Sequence, residues 1–377
     1  SFSKNKGLIY YKDNNEKEPS AGDLTKYRVV HKGQLLENRM QAWHGMFICV
    51  DKEGCVSPDY SVFNANKRTV GSVKYYEYCF RLPMWVQQFA NESRGIGDGF
   101  NRLYTSQFHK IMAIVPPLSE QKAIAEYLDK KTAQINELVS AKQKQIELLK
   151  EYKQSVIANA VTGKLNKNCR MKDSGISWIG KIPENWECST LRKHLKFVSD
   201  KGHPNEQLLS VTREQGVIIR NIESKEENHN AIPEDLSDYK LVKKGQFAIN
   251  KMKSWQGSYG VSSYTGIVSP AYYVCDLDFE NKDFFSIAIR SKAYIPFFTM
   301  YSKGIRVDQW DLSPIGLKTI PFFIPPADEQ DKIVSFVKDK MERIDSQVAS
   351  IENQIANLNE YRQSLISEVV TGKVKVC

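Results

Sequence analysis

One block of fifty residues occurs twice in this chain, and that repetition constrains its fold more than any other feature. Residues 115–164 align without a gap on residues 324–373 at a constant shift of 209, with 20 identities in 50 positions. The shared pairs include Pro116-Pro117 with Pro325-Pro326, Glu120-Gln121 with Glu329-Gln330, and Glu151-Tyr152 with Glu360-Tyr361. The closing Val161-Thr162-Gly163-Lys164 returns as Val370-Thr371-Gly372-Lys373. A second block, residues 23–60, aligns on residues 235–272 at a shift of 212, with 16 identities in 38. Its landmarks are Gly33/Gly245, Asn38/Asn250, Met40/Met252, Trp43/Trp255 and Val56-Ser57-Pro58/Val268-Ser269-Pro270. Two ungapped blocks in the same order at nearly the same shift mark a tandem duplication of a unit a little over 200 residues long.

The copies differ at the front. Copy two begins near Met171 and soon reaches Trp178-Ile179-Gly180-Lys181-Ile182-Pro183-Glu184-Asn185-Trp186, whereas copy one enters at Gly7-Leu8-Ile9, which matches Gly216-Val217-Ile218. About forty residues that open copy two have no counterpart in copy one. Together with the absence of an initiator Met, this predicts that the natural N-terminal part of the first domain is missing; a degenerate first copy is the alternative.

The duplicated fifty-residue block predicts a long helix. Pro-Pro enforces an extended approach, and Ser119 and Asp328 are the expected N-caps, followed by acidic residues that suit the positive helix end. In copy two, Val337, Ile344, Ile351, Leu358 and Leu365 recur every seven residues, joined by Met341, Val348 and Ile355. Copy one repeats the frame at Leu128, Ile135, Leu149 and Val156, interrupted by Lys142, and adds Val139 and Ile146. An apolar stripe of 3.5-residue period is a coiled-coil seam. Each helix is expected to span about 40 residues, or about 60 Å, and to stop at Thr-Gly. Two matching seams bury each other most simply in an antiparallel pair, which predicts two domains at opposite ends of a rod with approximate two-fold symmetry. Two separate amphipathic helices, each buried on its own domain, are the alternative.

The remainder shows short apolar runs such as Phe47-Ile48-Cys49-Val50, Gln246-Phe247-Ala248-Ile249 and Ala271-Tyr272-Tyr273-Val274, punctuated by Gly and Pro, and predicts strands in an α+β domain. Charge divides along the same line. The 377 residues carry 53 Lys+Arg against 44 Asp+Glu, a net +9. The two helical blocks hold 14 basic and 15 acidic residues, which leaves +10 on the other 277. The affinity for polyanions is therefore expected in the globular domains. A content of 41% hydrophobic residues excludes a disordered polyelectrolyte, and no apolar stretch reaches the length of a membrane span. The seven cysteines are scattered with no C-x-x-C pair, which points to a reducing, cytoplasmic compartment and neither a disulfide framework nor a zinc site.

No catalytic constellation is present in the sequence. Val115-Pro116-Pro117-Leu118 and Ile324-Pro325-Pro326-Ala327 lack the polar first and aromatic last residues that an amino-methylating enzyme of nucleic acid requires. Gly95-Ile96-Gly97-Asp98-Gly99 lacks both the G-x-G-x-x-G spacing and the P-loop Lys. Ser57-Pro58-Asp59 could open a metal-nuclease signature, but Ala271 replaces the acid in copy two. The six histidines fall at no ligand-like spacing, so no metal site is expected.

Base reading needs Arg or Lys for guanine, Asn or Gln for adenine, and apolar groups for methyls. Two places in each copy supply them. The first is the frame Asn-x-Met-x-x-Trp-x-Gly, with candidates Asn38, Arg39, Gln41, Trp43 and His44 in copy one and Lys251, Lys253, Ser254, Trp255 and Gln256 in copy two. The second is a basic, glycine-containing stretch with candidates Arg94, Asn101 and Arg102, matched by Lys303, Arg306, Gln309 and Trp310. The bland reading is a strand ending in a turn whose Trp and Met serve the core, beside a solvated loop. A common frame with divergent polar side chains is what two reading heads of different specificity require.

At these residues the chain resembles the specificity (S) subunit of type I restriction-modification systems. The resemblance covers nearly the whole chain and is carried by the twice-occurring Pro-Pro-x-x-Glu-Gln helix ending Val-Thr-Gly-Lys. Trp178-Ile179-Gly180-x-Ile182-Pro183-x-x-Trp186, Leu209-Ser210-Val211-Thr212, Asp235-Leu236-Ser237-x-Tyr239 and Ile267-Val268-Ser269-Pro270-Ala271-Tyr272 support it. It implies a first target recognition domain over 1–114, a central helix and linker over 115–170, a second recognition domain over 171–323 and a C-terminal helix over 324–377. It further implies that each domain reads one half of a split, asymmetric site on double-stranded DNA, in a cytoplasmic phage-defence complex. The helices would form an antiparallel coiled coil on which two modification (M) subunits dock, carrying S-adenosylmethionine and adenine N6-methylation. Restriction (R) subunits would add ATP- and Mg-dependent translocation and cleavage. The chain itself would bind no cofactor and catalyse nothing. The alternative class is a coiled-coil scaffold whose globular ends bind proteins.

Overall fold

The computed structural model describes residues 2–3, 7–10, 24–65, 72–95, 101–165, 168–222, 232–304 and 310–376. The chain divides into two compact units, one of Ser1–Lys144 with Ile351–Cys377 and one of Gln145–Ser350. Both are α+β, and two long helices that pack together, Leu118–Val161 and Ala327–Val370, contribute to both. Each helix has 44 residues, about 66 Å at 1.5 Å per residue. No helix among the described residues is long and apolar enough to cross a membrane.

The helix starts correct one expectation. Ser119 and Asp328 lie inside the first turn, and the second proline takes the cap position. The carbonyls of Pro117 and Pro326 accept the first helical bonds, from the amides of Gln121 and Gln330, at 3.0 Å each. The side-chain amides of those glutamines turn back to the preceding prolines, Gln121 Nε2 donating to Pro116 O (2.8 Å) and Gln330 Nε2 to Pro325 O (2.9 Å). Gln121 Oε1 also accepts the Ser72 amide at 2.8 Å. The glutamine of the Pro-Pro-x-x-Glu-Gln motif thus fixes the entry of the chain into the helix by holding the carbonyl of the first proline. At the other end, Gly163 and Gly372 adopt left-handed φ values of 74° and 75°. The following lysine amides reach back to Asn159 O (2.9 Å) and Glu368 O (2.8 Å), the closure that satisfies otherwise orphaned helix carbonyls.

Within each unit the helix segments run antiparallel. In the first, Leu128 and Ile135 share a buried cluster with Leu365 and Val369. In the second, Ala160 and Val161 share one with Ile333, Val334 and Val337. Polar rungs follow the same register: Arg362 donates to Asn136, Lys142 to Gln354, and Lys153 to Asp345. As the position rises on one helix it falls on the other. Of the expected seam, Leu128, Ile135, Ile146, Val156, Val337, Ile344, Ile351 and Leu365 are buried, and Val139, Leu149, Val348, Ile355 and Leu358 are half-buried.

The first unit carries a three-stranded antiparallel sheet in the order Phe47–Cys49, Leu35–Asn38, Tyr60–Phe63. The second carries the equivalent strands Tyr259–Val261, Phe247–Ile249 and Tyr273–Leu277, with a fourth, Leu195–Val198, added at the outer edge. A helix packs on each sheet, Val73–Cys79 capped by Ser72 and Lys282–Ile289 capped by Asn281. Behind it a half-buried arginine ties helix to strand: Arg81 donates to Phe47 O, and Arg290 to Tyr259 O. One residue breaks the apolar pattern. Glu37 is fully buried opposite Ser61, where the second unit has Ile249, and burial pushes its carboxyl from 4.5 up to about 7.

Candidate nucleic-acid interface

The shared frame builds one turn in both units. Asn38 ends its strand with its amide on Met46 O, and its Oδ1 accepts the Met40 amide at 3.2 Å. Asn250 repeats both contacts, to Ser258 O and from the Met252 amide at 3.3 Å. A short 3-10 turn follows, Ala42–His44 or Ser254–Gln256, closed by Gly45 (φ 76°) or Gly257 (φ 98°). Only glycine relaxes there without strain. The tryptophan locks the turn from outside, Trp43 Nε1 donating to Met40 O (2.9 Å) and Trp255 Nε1 to Met252 O (3.2 Å). The indoles are half-buried, so the frame tryptophan braces the turn and does not sink into the core.

The second stretch joins the first. Arg94 and Arg102 pair across a hairpin base, each amide on the other's carbonyl at 2.9 Å, and the Leu103 amide bonds Arg39 O at 3.0 Å. In the second unit Ser302–Lys303 pairs with Asp311–Leu312, and the Leu312 amide bonds Lys251 O at 3.0 Å. Two stretches more than fifty residues apart in sequence therefore converge in each unit. Trp310 packs on Trp255 with ring centroids 5.3 Å apart, and Trp43 lies against His44 at 3.6 Å. Arg306 and Gln309 lie outside the described residues.

The charges are wired differently in the two units. In the first, Asp59 sits between Arg102 (3.5 Å) and Arg39 (4.0 Å), and Arg39 also donates to Pro58 O and Asp59 O. In the second, position 59 corresponds to Ala271, and the acid comes instead from Asp311, which occupies the place of Arg102 and holds Lys251 at 2.8 Å. That carboxylate keeps the Lys251 ammonium above the usual lysine range. Gln41, Arg94, Lys253 and Lys303 are exposed and make no side-chain hydrogen bond or ion pair among the described residues. His44 is also exposed, and Asn101 and Gln256 are half-buried. Ser254 corrects an expectation: it is fully buried, donating to Lys251 O at 3.2 Å and lying 3.3 Å from Ser302 Oγ, so it cannot reach a base.

Sequence reasoning passed over Asp59 and Asp311 as organisers of this surface. Asp59 drew notice only as a metal-nuclease acid. The exchange of Asp and Ala at 59/271, matched by Arg and Asp at 102/311, was the available signal. Among the described residues no group of three or more His, Cys, Asp or Glu is placed to hold a metal ion.

Comparison with known proteins matches residues 44–148 to the type I restriction modification DNA specificity domain. The chain is 25% identical over 304 residues to the type I restriction enzyme EcoKI specificity subunit of Escherichia coli K12, covering 75% of this chain and 62% of that protein. It is 24% identical over 320 residues to the StySPI specificity subunit of Salmonella potsdam, covering 78% and 66%. The chain thus spans just under two thirds of the length of these relatives. Its fold matches the HsdS subunit from Thermoanaerobacter tengcongensis with a TM-score of 0.53 at 14% identity, covering 93% of this chain and 84% of that one. It also matches a chain from a structure of type I R-M system assembly, with a TM-score of 0.65 at 11% identity, covering 92% and 84%. Fold and duplicated turn define a two-unit α+β architecture joined by two long helices, the architecture of these matched structures. In sequence and in fold the chain is similar to type I restriction-modification specificity (S) subunits.

Proposed function

We propose that this chain is the non-catalytic DNA-recognition subunit of a type I restriction-modification complex, each globular unit reading one half of a bipartite, asymmetric site. The observation that carries the reading is the convergence, in each unit, of the frame turn and the basic hairpin on one backbone scaffold with different side chains exposed. Gln41 and Arg94 on one and Lys253 and Lys303 on the other are residue types that read adenine or guanine edges or neutralise phosphates. The +10 charge outside the helical blocks supports a salt-sensitive, sequence-independent component of binding. The long helices would seat two M subunits, which carry S-adenosylmethionine and methylate adenine. R subunits, using ATP and Mg, would complete the complex. No chemistry is assigned to this chain.

The test is to purify the chain with its M subunits and map methylated adenines genome-wide. A motif of two different halves separated by a fixed spacer is expected. A single half-site, or methylation without sequence preference, would remove the two-reader reading. A complex without salt-dependent DNA affinity would make the chain a protein-binding scaffold.

A further inference from the structure

A solvent-facing arginine beside a carboxylate is a poor phosphate ligand, because the acid offsets its charge and repels the phosphate oxygens. It suits a base pair. Guanine offers two acceptors to a guanidinium fork, and the amino group of the paired cytosine offers a donor to a carboxylate. The first unit holds both kinds of arginine. Arg94 is exposed and makes no side-chain hydrogen bond or ion pair among the described residues. Arg102 is 39% exposed and lies 3.5 Å from Asp59, itself 41% exposed.

Both members of that pair are held from behind. The Arg102 backbone is clasped by Arg94 at 2.9 Å in each direction, and its Nη2 lies 4.0 Å from Met40 Sδ. The Asp59 carbonyl accepts both the amide and the Nε of Arg39, each at 3.2 Å. Arg39 Nη2 donates to Pro58 O, so that guanidinium is occupied by backbone carbonyls. In the second unit the repeat puts Ala271 at the place of Asp59 and Asp311 at the place of Arg102. Asp311 is 50% exposed, and Lys251, its partner at 2.8 Å, is 27% exposed. One equivalent point therefore presents a donor in the first unit and an acceptor in the second.

Resting on the DNA-recognition reading, we propose that each acid–base pair reads one G·C pair, the cation on guanine and the carboxylate on the cytosine amino group. Arg102 takes the guanine of the first half-site. Asp59 positions it, and Arg39 braces the loop that carries Asp59. In the second half-site Lys251 takes the guanine and Asp311 the cytosine. Position 102/311 is thus the specificity-determining position, and the G·C pair lies in opposite orientation relative to the two turns.

The experiment maps methylated-adenine motifs genome-wide for the full chain reassembled with its M subunits, wild type beside variants. The first half-site should contain a guanine at which Arg102→Ala lowers preference about ten-fold, with its other positions unchanged. Arg102→Gln should move that position toward adenine, a change that no loss of folding produces. Asp59→Asn should act at the same position by a smaller factor, and the double variant should be no worse than Arg102→Ala. Asp311→Ala should relax one G·C pair of the second half-site alone. Uniform weakening across all first-half sequences, with a shallower salt dependence, would make Arg102 a phosphate contact and overturn the proposal. So would loss of preference at an A·T pair, or an effect of Asp59→Asn at a different position. A wild-type complex without a bipartite motif would instead remove the recognition reading itself.

Discussion

The ammonium of Lys251 lies 2.8 Å from the carboxylate of Asp311, 60 positions further along the chain. In the first unit the equivalent base, Arg39, finds its acid in Asp59, and an arginine stands where Asp311 would be. The same neutralisation is reached from opposite sides of the surface. Because Lys251 and Asp311 are 27% and 50% exposed, the pair contributes little to stability, under about 1 kcal/mol. Its effect is on what the surface offers to an anion. Asp311→Asn should release Lys251 and steepen the slope of log affinity against log salt for DNA binding by the assembled complex by about 0.9. Filter binding or anisotropy across a salt series measures it. An unchanged slope would leave Lys251 outside the phosphate contacts.

Lys253→Ala should relax one position of the second half-site, at about 1–3 kcal/mol of discrimination, and leave the first half untouched. Gln41→Ala should do the reverse. Methylome maps of the reconstituted variants separate this from uniform weakening at both halves, which would make both residues phosphate contacts.

The buried helix-start glutamines are unequal. Gln121 serves both Pro116 O and the Ser72 amide, whereas Gln330 serves Pro325 O. Gln121→Ala orphans two backbone groups and should cost more than Gln330→Ala, with each orphaned group worth about 1–3 kcal/mol. Denaturant unfolding of the two variants should rank them in that order.

Gly163→Ala and Gly372→Ala make the same substitution at matching left-handed positions. Both incur the backbone penalty of about 1–2 kcal/mol. Only Gly163 adds a collision with Pro183, so its variant should show the larger fall in Tm. Equal falls would mean that the Pro183 contact yields without cost.

Glu37 makes the first unit sensitive to pH. Its carboxyl titrates near 7 when folded, against 4.5 when exposed. Between those values the folded state holds a proton that the unfolded state has lost, so stability falls as pH rises from 4.5 to 7 and is flat above. The full drop is on the order of 3 kcal/mol. Glu37→Gln should flatten that profile and raise stability at pH 8, read as Tm against pH.

The long helices were legible because a heptad seam is written in local spacing: Val337, Ile344, Ile351 and Leu365 announce their burial without reference to anything else. The Trp-containing turn was legible as a frame for the same reason. What escaped depended on partners distant in sequence. Asp311 acquires meaning only when a hairpin brings it to Lys251. Ser254 looked exchangeable in the alignment with Ala42, yet both are small because the turn packs them to 0% exposure. The caps were misplaced because Ser119 and Asp328 have capping side chains, whereas the second proline takes the cap position and a glutamine four residues later fixes the helix entry by holding the carbonyl of the first proline.

The unit boundaries fall at Lys144/Gln145 and Ser350/Ile351, in the middle of both long helices. A repeat of the sequence and a unit of the structure are therefore different objects: each unit is closed by a stretch of helix encoded in the other repeat. For chimera building this sets the cut points. Exchanging a whole repeat would pair unfamiliar seam residues in both units at once. Exchanging only the chain between Leu24 and Val115, or its counterpart ahead of Ile324, would move the Trp-containing turn and the stretch that joins it as one piece onto a seam already matched to itself.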